Sequence, residues 1–294
     1  MPVTRTVDGL KDEWSCDDIE AEWQNYEHYG YAFEDYTADK KEGTACMAYL
    51  ATSVGAGWYM PAYHITPMLA GAGHRIHLYH RADDAKHSWY LTVCCIGKPG
   101  CAIGPYQGWP VYYTTVLNGV GAEAWTLKKG TIPSTVTDYP EQRWACWLIG
   151  FTDYGSNITD FVDHIVTSTT QYLTITGLSP GQLVEVYRVS DGVKIAEDTV
   201  GEGGTELVFD IDNQDYPLYL QLKVYATDGV TLVETTTPAR MCGGDTWYWV
   251  PPFGTLGIET DAFILIRSAG TGDPKEANIV ATLLTPAGAP APGK

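Results

Sequence analysis

This sequence predicts an all-β chain made of sandwiches in series, and three observations carry that expectation. Strand-sized runs rich in Trp, Tyr, Thr and Val recur along it. Gly, Pro, Asn and Asp stand between those runs, where turns need them. No stretch sustains apolar residues at helical spacing. The chain has 294 residues, long enough for two cores, and 45% hydrophobic against 18% charged residues fits a folded chain.

Taken in order, Thr4 to Leu10 is an extended segment ending near Asp8-Gly9. Ser15-Cys-Asp-Asp18 has the pattern of a capping box and predicts a short helix over DIEAEW. Glu20 and Glu22 on that helix read as a solvated face, not as the paired carboxylates of a glycosidase. YEHYGYAFEDY sets Tyr26, Tyr29, Tyr31 and Tyr36 among acids. KKEGTACMAYLAT reads as a turn and a strand, and GWYMPAYHI as a strand that Pro61 marks as an edge or a bulge. HRIHLYHRA alternates Ile76 and Leu78.

The block from Lys86 to Val116 organises the rest. Its arms, KHSWYLTVCC and WPVYYTTV, flank the turn-forming IGKPGCAIGPYQG. Trp89, Leu91 and Val93 alternate with Ser88, Tyr90 and Thr92, the pattern of a strand with one face in a core. RWACWLIGFTDYG and ITDFVDHIVT close a first domain over 1–166.

From Thr167 the texture turns to Thr, Val, Gly and Asp. QYLTITGLSPGQLVEVYRVSDGVKIAEDTV, TELVFDI, PLYLQLKVYAT and VTLVET alternate with Pro-Gly and Asp-Gly turns, which predicts a small second sandwich over 167–238. The remainder, 239–294, holds DTWYWVPP, DAFILIRSAG and NIVATLL, followed by the Pro/Ala/Gly tail PAGAPAPGK.

The series EGTACMAY, WYLTV and DFVDHI over 1–166 resembles the jelly-roll sandwiches of the concanavalin A-like and carbohydrate-binding-module group. LSPGQLVEVYRVSDG resembles the small Ig-like modules of tailed-phage virion proteins and bacterial surface proteins. The first resemblance implies glycan contact through aromatic side chains and a structural calcium against the last strand. Asp160 and Asp163 are the positions for such a calcium, and no other cofactor is implied. The glucanase branch of that group carries a strand of alternating acids, which this sequence lacks, so no catalytic residue is expected and the protein is expected not to be an enzyme.

The net charge of −18 argues against nucleic acid or an anionic membrane as partner. The start MPVTRTVDGLKDEW has no apolar export region, and the seven cysteines, Cys16, Cys46, Cys94, Cys95, Cys101, Cys146 and Cys242, read as reduced thiols. Among the histidines, His74 and His80 share one strand face and His77 the other, so a three-ligand metal site with His87 is not expected. Asp210, Asp212 and Asp215 lack the glycine and terminal glutamate of an EF-hand loop and read as a polar turn.

Trp58, Tyr59, Trp89, Tyr90, Trp109 and Tyr112 are the aromatics expected to stack on sugar. Trp247, Trp249, Phe263 and Ile264 are expected to serve assembly, because exposed apolar strands after two complete sandwiches invite pairing. Together these observations favour a non-enzymatic structural protein on a phage virion, made in the host cytoplasm as a homo-oligomer and attaching to a cell-surface glycan. A carbohydrate-binding module protein or a glycan-cleaving enzyme is the alternative.

Overall fold

A computed structural model describes residues 3–18, 23–25, 32–51, 57–64, 68–83, 88–96, 113–138, 143–152, 158–214, 218–250, 263–270 and 277–284. All described regular structure is strand, apart from one 3-10 turn at Ser134–Asp138. The strands are β1 (Thr4–Val7), β2 (Leu10–Trp14), β3 (Trp23–Asn25), β4 (Ala32–Tyr36), β5 (Cys46–Ala51), β6 (Gly57–His64), β7 (Arg75–Ala82) and β8 (Ser88–Ile96). They continue with β9 (Tyr113–Val120), β10 (Thr126–Thr131), β11 (Arg143–Thr152), β12 (Ile158–Ser168), β13 (Tyr172–Thr176), β14 (Leu183–Arg188) and β15 (Lys194–Thr199). The last are β16 (Glu206–Asp210), β17 (Leu218–Tyr225), β18 (Leu232–Thr235), β19 (Ala239–Met241), β20 (Thr246–Tyr248), β21 (Phe263–Gly270) and β22 (Ala277–Leu284). Contacts divide the chain into one unit over Met1–Val250 and another over Pro251–Lys294.

The first sandwich faces the sheet β10-β7-β12-β5-β4, with β2 added along β12, toward the sheet β3-β6-β11-β8-β9. Its core takes Ile76 and Leu78 from β7, Val162 and Ile165 from β12, and Trp89, Leu91 and Val93 from β8. The β8 alternation read from the sequence is thus a row of core residues, exposed by 2%, 0% and 0%. Trp23, expected at the end of a helix, lies on β3 instead, its ring edge-on to Trp14 at 6.1 Å inside this core. At Trp23 burial of the large ring outweighs a weak local preference for helix. Residues 19–22, including Glu20 and Glu22, lie outside the described residues.

The second sandwich pairs the sheet β1-β20-β13-β16 with the sheet β15-β14-β17-β18, where β19 also joins β17. Its strands β16 and β17 alternate strictly between buried and outward positions. Asp-Gly and Pro-Gly turns close it as their chemistry requires: Gly192 and Gly181 take φ of 70° and 84°, where a side chain is strained. Two features depart from the boundaries read off the sequence. The N-terminal strand β1 pairs with β20 and so belongs to the second sandwich, with Val3 in its core. Strands β19 and β20, expected outside it, supply that core with Met241, Trp247 and Trp249.

β12 serves both cores. Its pairing with β7 shifts register between Asp163 and Val166, and His164 sits at φ 43°. At that bulge Ile165 packs into the first core, and Val166, where pairing resumes, into the second. Asp212, in the turn after β16, joins the sandwiches through Arg75 Nη2 at 2.7 Å, Lys129 Nζ at 2.9 Å and His77 Nε2 at 3.2 Å. Burial opposes the charge on Asp212, but hydrogen bonds from Lys129 and Arg75 outweigh it and hold the carboxyl below its ordinary range. In the second unit β21 and β22 form an antiparallel hairpin, with Phe263 opposite Leu284 and Ile264 opposite Leu283.

Candidate functional site

One face of the β10-β7-β12-β5-β4 sheet is turned to the core; the other carries the candidate site. Cross-strand pairing lines up Glu34 on β4, Ala48 on β5, Phe161 on β12 and Arg81 on β7 in a single row. Trp125, immediately before β10, stands beside Arg81, whose guanidinium is 6.0 Å from its ring centroid. Residues in register on one face are neighbours, so the sheet itself brings these side chains together.

The loop from β4 to β5 folds over half of this face. Backbone N–H groups of Lys41 and Glu42 donate to Asp163 Oδ2 at 2.8 and 3.0 Å, Lys41 Nζ sits 4.9 Å from the Tyr79 ring, and Cys46 Sγ donates to Asp39 O at 3.3 Å. The uncovered half is a cleft of about 390 Å³ lined by Glu34, Tyr36, Ala48, Arg81, Asp83, Thr159 and Phe161. That volume lies within the range of small-molecule sites.

Arg81 organises the cleft. Its guanidinium lies 3.9 Å from the Phe161 ring centroid, its Nε is 3.1 Å from Asp39 Oδ2, and its Nη1 is 3.7 Å from Asp83 Oδ1. Asp39 in turn accepts from Trp125 Nε1 at 3.0 Å. The Tyr36 ring leans on Phe161 at 5.0 Å. Phe161 is only 3% exposed and forms the floor, whereas Tyr36 and Trp125 keep part of their rings open to solvent. The arrangement offers apolar ring surface beside a fixed donor and several carboxylate acceptors.

The residues singled out from the sequence fall elsewhere. Trp89 is 2% exposed, stacks on His80 at 4.5 Å inside the first core and is unavailable to a ligand. Trp58 and Tyr59 lie on β6 and Tyr90 on β8, with side chains outside the described ones; Trp109 and Tyr112 lie outside the described residues altogether. Trp247 and Trp249, expected at an assembly surface, are 8% and 1% exposed in the second core. Their side chains are used within the protomer, because β20 fills the gap between β1 and β13. Phe263 and Ile264 lie on β21, with side chains outside the described ones.

Asp160 and Asp163 do not converge on one ion. Asp160 Oδ1 meets His80 Nε2 at 2.7 Å on the core side, whereas Asp163 binds the β4–β5 loop on the outer face. Among the described residues no group of three or more His, Cys, Asp or Glu is placed to hold a metal ion. His74, His77 and His80 have separate partners: the Gly71 N–H, Asp212 and Asp160. Asp210 accepts from the Asp212 N–H, and Asp215 lies outside the described residues.

Burial pushes the Asp163 carboxyl up to about 6, against the two backbone N–H groups that favour its charge. The folded state therefore holds this proton more tightly than the unfolded chain. The group's contribution to stability is greatest below about pH 4 and declines as pH rises toward 6. Asp163→Asn, which keeps an oxygen for Lys41 and Glu42, is expected to gain on the wild type by on the order of 2–3 kcal/mol between pH 4 and pH 7. Denaturant titrations at both pH values measure this, and a difference independent of pH refutes it.

No family model matches this chain, and no curated protein does. Among solved structures, the glycoside hydrolase domain of Endo-D from Streptococcus pneumoniae is similar with TM-score 0.35 and 9% identity, over 82% of this chain and 36% of that one. The CBM22-1–GH10 modules of Clostridium thermocellum xylanase 10B, complexed with xylohexaose, give TM-score 0.38 and 12% identity over 55% of this chain and 28% of that one. The adhesin domain of Epf from Streptococcus pyogenes gives 0.28 and 9% over 84% and 91%. At these scores and identities the likenesses assign no role to any residue here. None of these three is described as a virion protein.

Proposed function

We propose that the protein binds a glycan, without cleaving it, in the cleft over Phe161. One observation carries this reading: partly open rings, Tyr36 and Trp125, stand beside a guanidinium fixed by Asp39 and by the Phe161 ring, with Glu34, Asp83 and Thr159 around it. A sugar has a C–H face that stacks on such rings and hydroxyl groups that donate to carboxylates and accept from a guanidinium. Binding is favoured over cleavage because Asp39 and Asp83 are both turned on Arg81. Their geometry serves to hold that donor still.

A glycan array tests the reading. The wild type is expected to bind a limited set of chains, and Tyr36→Ala to weaken the best of them about tenfold, in line with the loss of one stacking contact. Glu34→Ala, at an exposed position, is expected to weaken it less and to leave thermal unfolding unchanged. An array blank for the wild type, or full binding by Tyr36→Ala, contradicts the proposal.

A further inference from the structure

We infer that the cleft selects neutral glycans and rejects chains bearing carboxylate or sulfate groups; this rests on the glycan-binding reading above. Among the described residues lining the cleft, Arg81 is the only cation. Its charge is already answered twice, by Asp39 Oδ2 at 3.1 Å from Nε and by Asp83 Oδ1 at 3.7 Å from Nη1. The plane of the guanidinium is covered on one side by Phe161, 3.9 Å away. What remains to a ligand is its capacity to donate hydrogen bonds, not a free positive charge.

Glu34 and Asp83 also line the cleft as exposed carboxylates. Both are acceptors suited to sugar hydroxyls, and both repel an anionic substituent brought within a few ångströms. Lys41, on the loop that folds over this face, has its ammonium 4.9 Å from the Tyr79 ring and does not line the cleft. The chain as a whole carries −18, which adds a weaker repulsion, screened beyond about 8–10 Å at physiological salt. Anion recognition elsewhere relies on arginines free of competing carboxylates, whereas Arg81 stands among three, Asp39, Asp83 and Glu34.

The test is affinity electrophoresis of the full chain in native gels cast with soluble polysaccharides in matched pairs. These are hydroxyethyl against carboxymethyl cellulose, unsulfated galactan against its sulfated form, and carboxyl-reduced polygalacturonate against the parent polymer. Retardation is expected from a neutral member at a concentration at least tenfold below that needed of its charged partner. The double variant Glu34→Gln/Asp83→Asn, which removes both charges and keeps an oxygen acceptor at each position, is expected to narrow that ratio about fivefold or more, through tighter retention of the charged member and with the neutral member bound no more tightly than by the wild type. Equal or stronger retardation by a charged member overturns the inference and leaves the glycan reading standing. An unchanged ratio in the double variant overturns the assigned cause of the selectivity. If neither member of any pair retards the protein, the glycan reading falls and this inference with it.

Discussion

A chain ended after Pro238 is expected to lose the second sandwich, while one ended after Val250 keeps it. The shorter chain lacks β19 and β20 and with them Met241, Cys242, Trp247 and Trp249, exposed by only 1%, 8%, 8% and 1%. It also leaves β1 without its partner and opens the edge of β13. Truncating a single buried tryptophan costs about 3–5 kcal/mol, and a whole domain is stable by about 5–15 kcal/mol. Two such losses, about 6–10 kcal/mol together, with an unpaired strand added, are as large as the whole stability of a typical domain. Calorimetry of the two truncations measures this. Expected is the loss of one cooperative transition in the shorter chain only. An unchanged unfolding profile in the chain ended at Pro238 contradicts the assignment of β19 and β20.

Asp245→Ala is expected to cost about 3–5 kcal/mol, because it orphans three buried donors at once. The Asp245 side chain is fully buried and accepts from the Gly9 N–H at 2.8 Å, the Cys242 N–H at 3.0 Å and Trp247 Nε1 at 3.1 Å. One carboxylate thereby ties the entry to β2, the turn before β20 and the Trp247 ring together. The apparent unfolding temperature of the second sandwich should fall by roughly 10 °C or more. Asp245→Asn, which keeps an oxygen acceptor, should fall between the variant and the wild type. A change within experimental error for Asp245→Ala refutes this role.

The fold class was legible because it is written in local patterns. Alternation in WYLTV and LYLQLKVY, and glycines after Asp or Pro, report directly which face is buried and where the chain turns. The allocation of strands to sandwiches was not legible, because it depends on pairs far apart in sequence. Thr4 pairs with Tyr248, and nothing near either residue announces it. The same gap explains Trp247 and Trp249: three apolar runs look surplus only until β20 is seen to fill a sheet.

The candidate site was hidden for the opposite reason. Large rings attract attention in a sequence, yet the alternation that marks Trp89 as a strand residue is the same alternation that buries it. The cleft gathers Glu34, Tyr36, Arg81, Thr159 and Phe161 from β4, β7 and β12, one or two residues each. A signal was present in Arg81, a charge just past the run Ile76 to His80 that is buried on both faces, and it was readable only once its neighbours were known.

The location of the bound glycan tests the account most directly. Titrating the isotope-labelled full chain with the best array ligand and following its amide and indole NMR signals reads every described tryptophan at once. Expected are shifts at the Trp125 indole, which donates to Asp39, and at the backbone amides of Arg81, Asp83, Thr159 and Phe161, with the buried Trp89 indole unmoved. Saturable shifts confined to residues away from this face, or none at all at millimolar ligand, would contradict the claim that the cleft over Phe161 is the binding site.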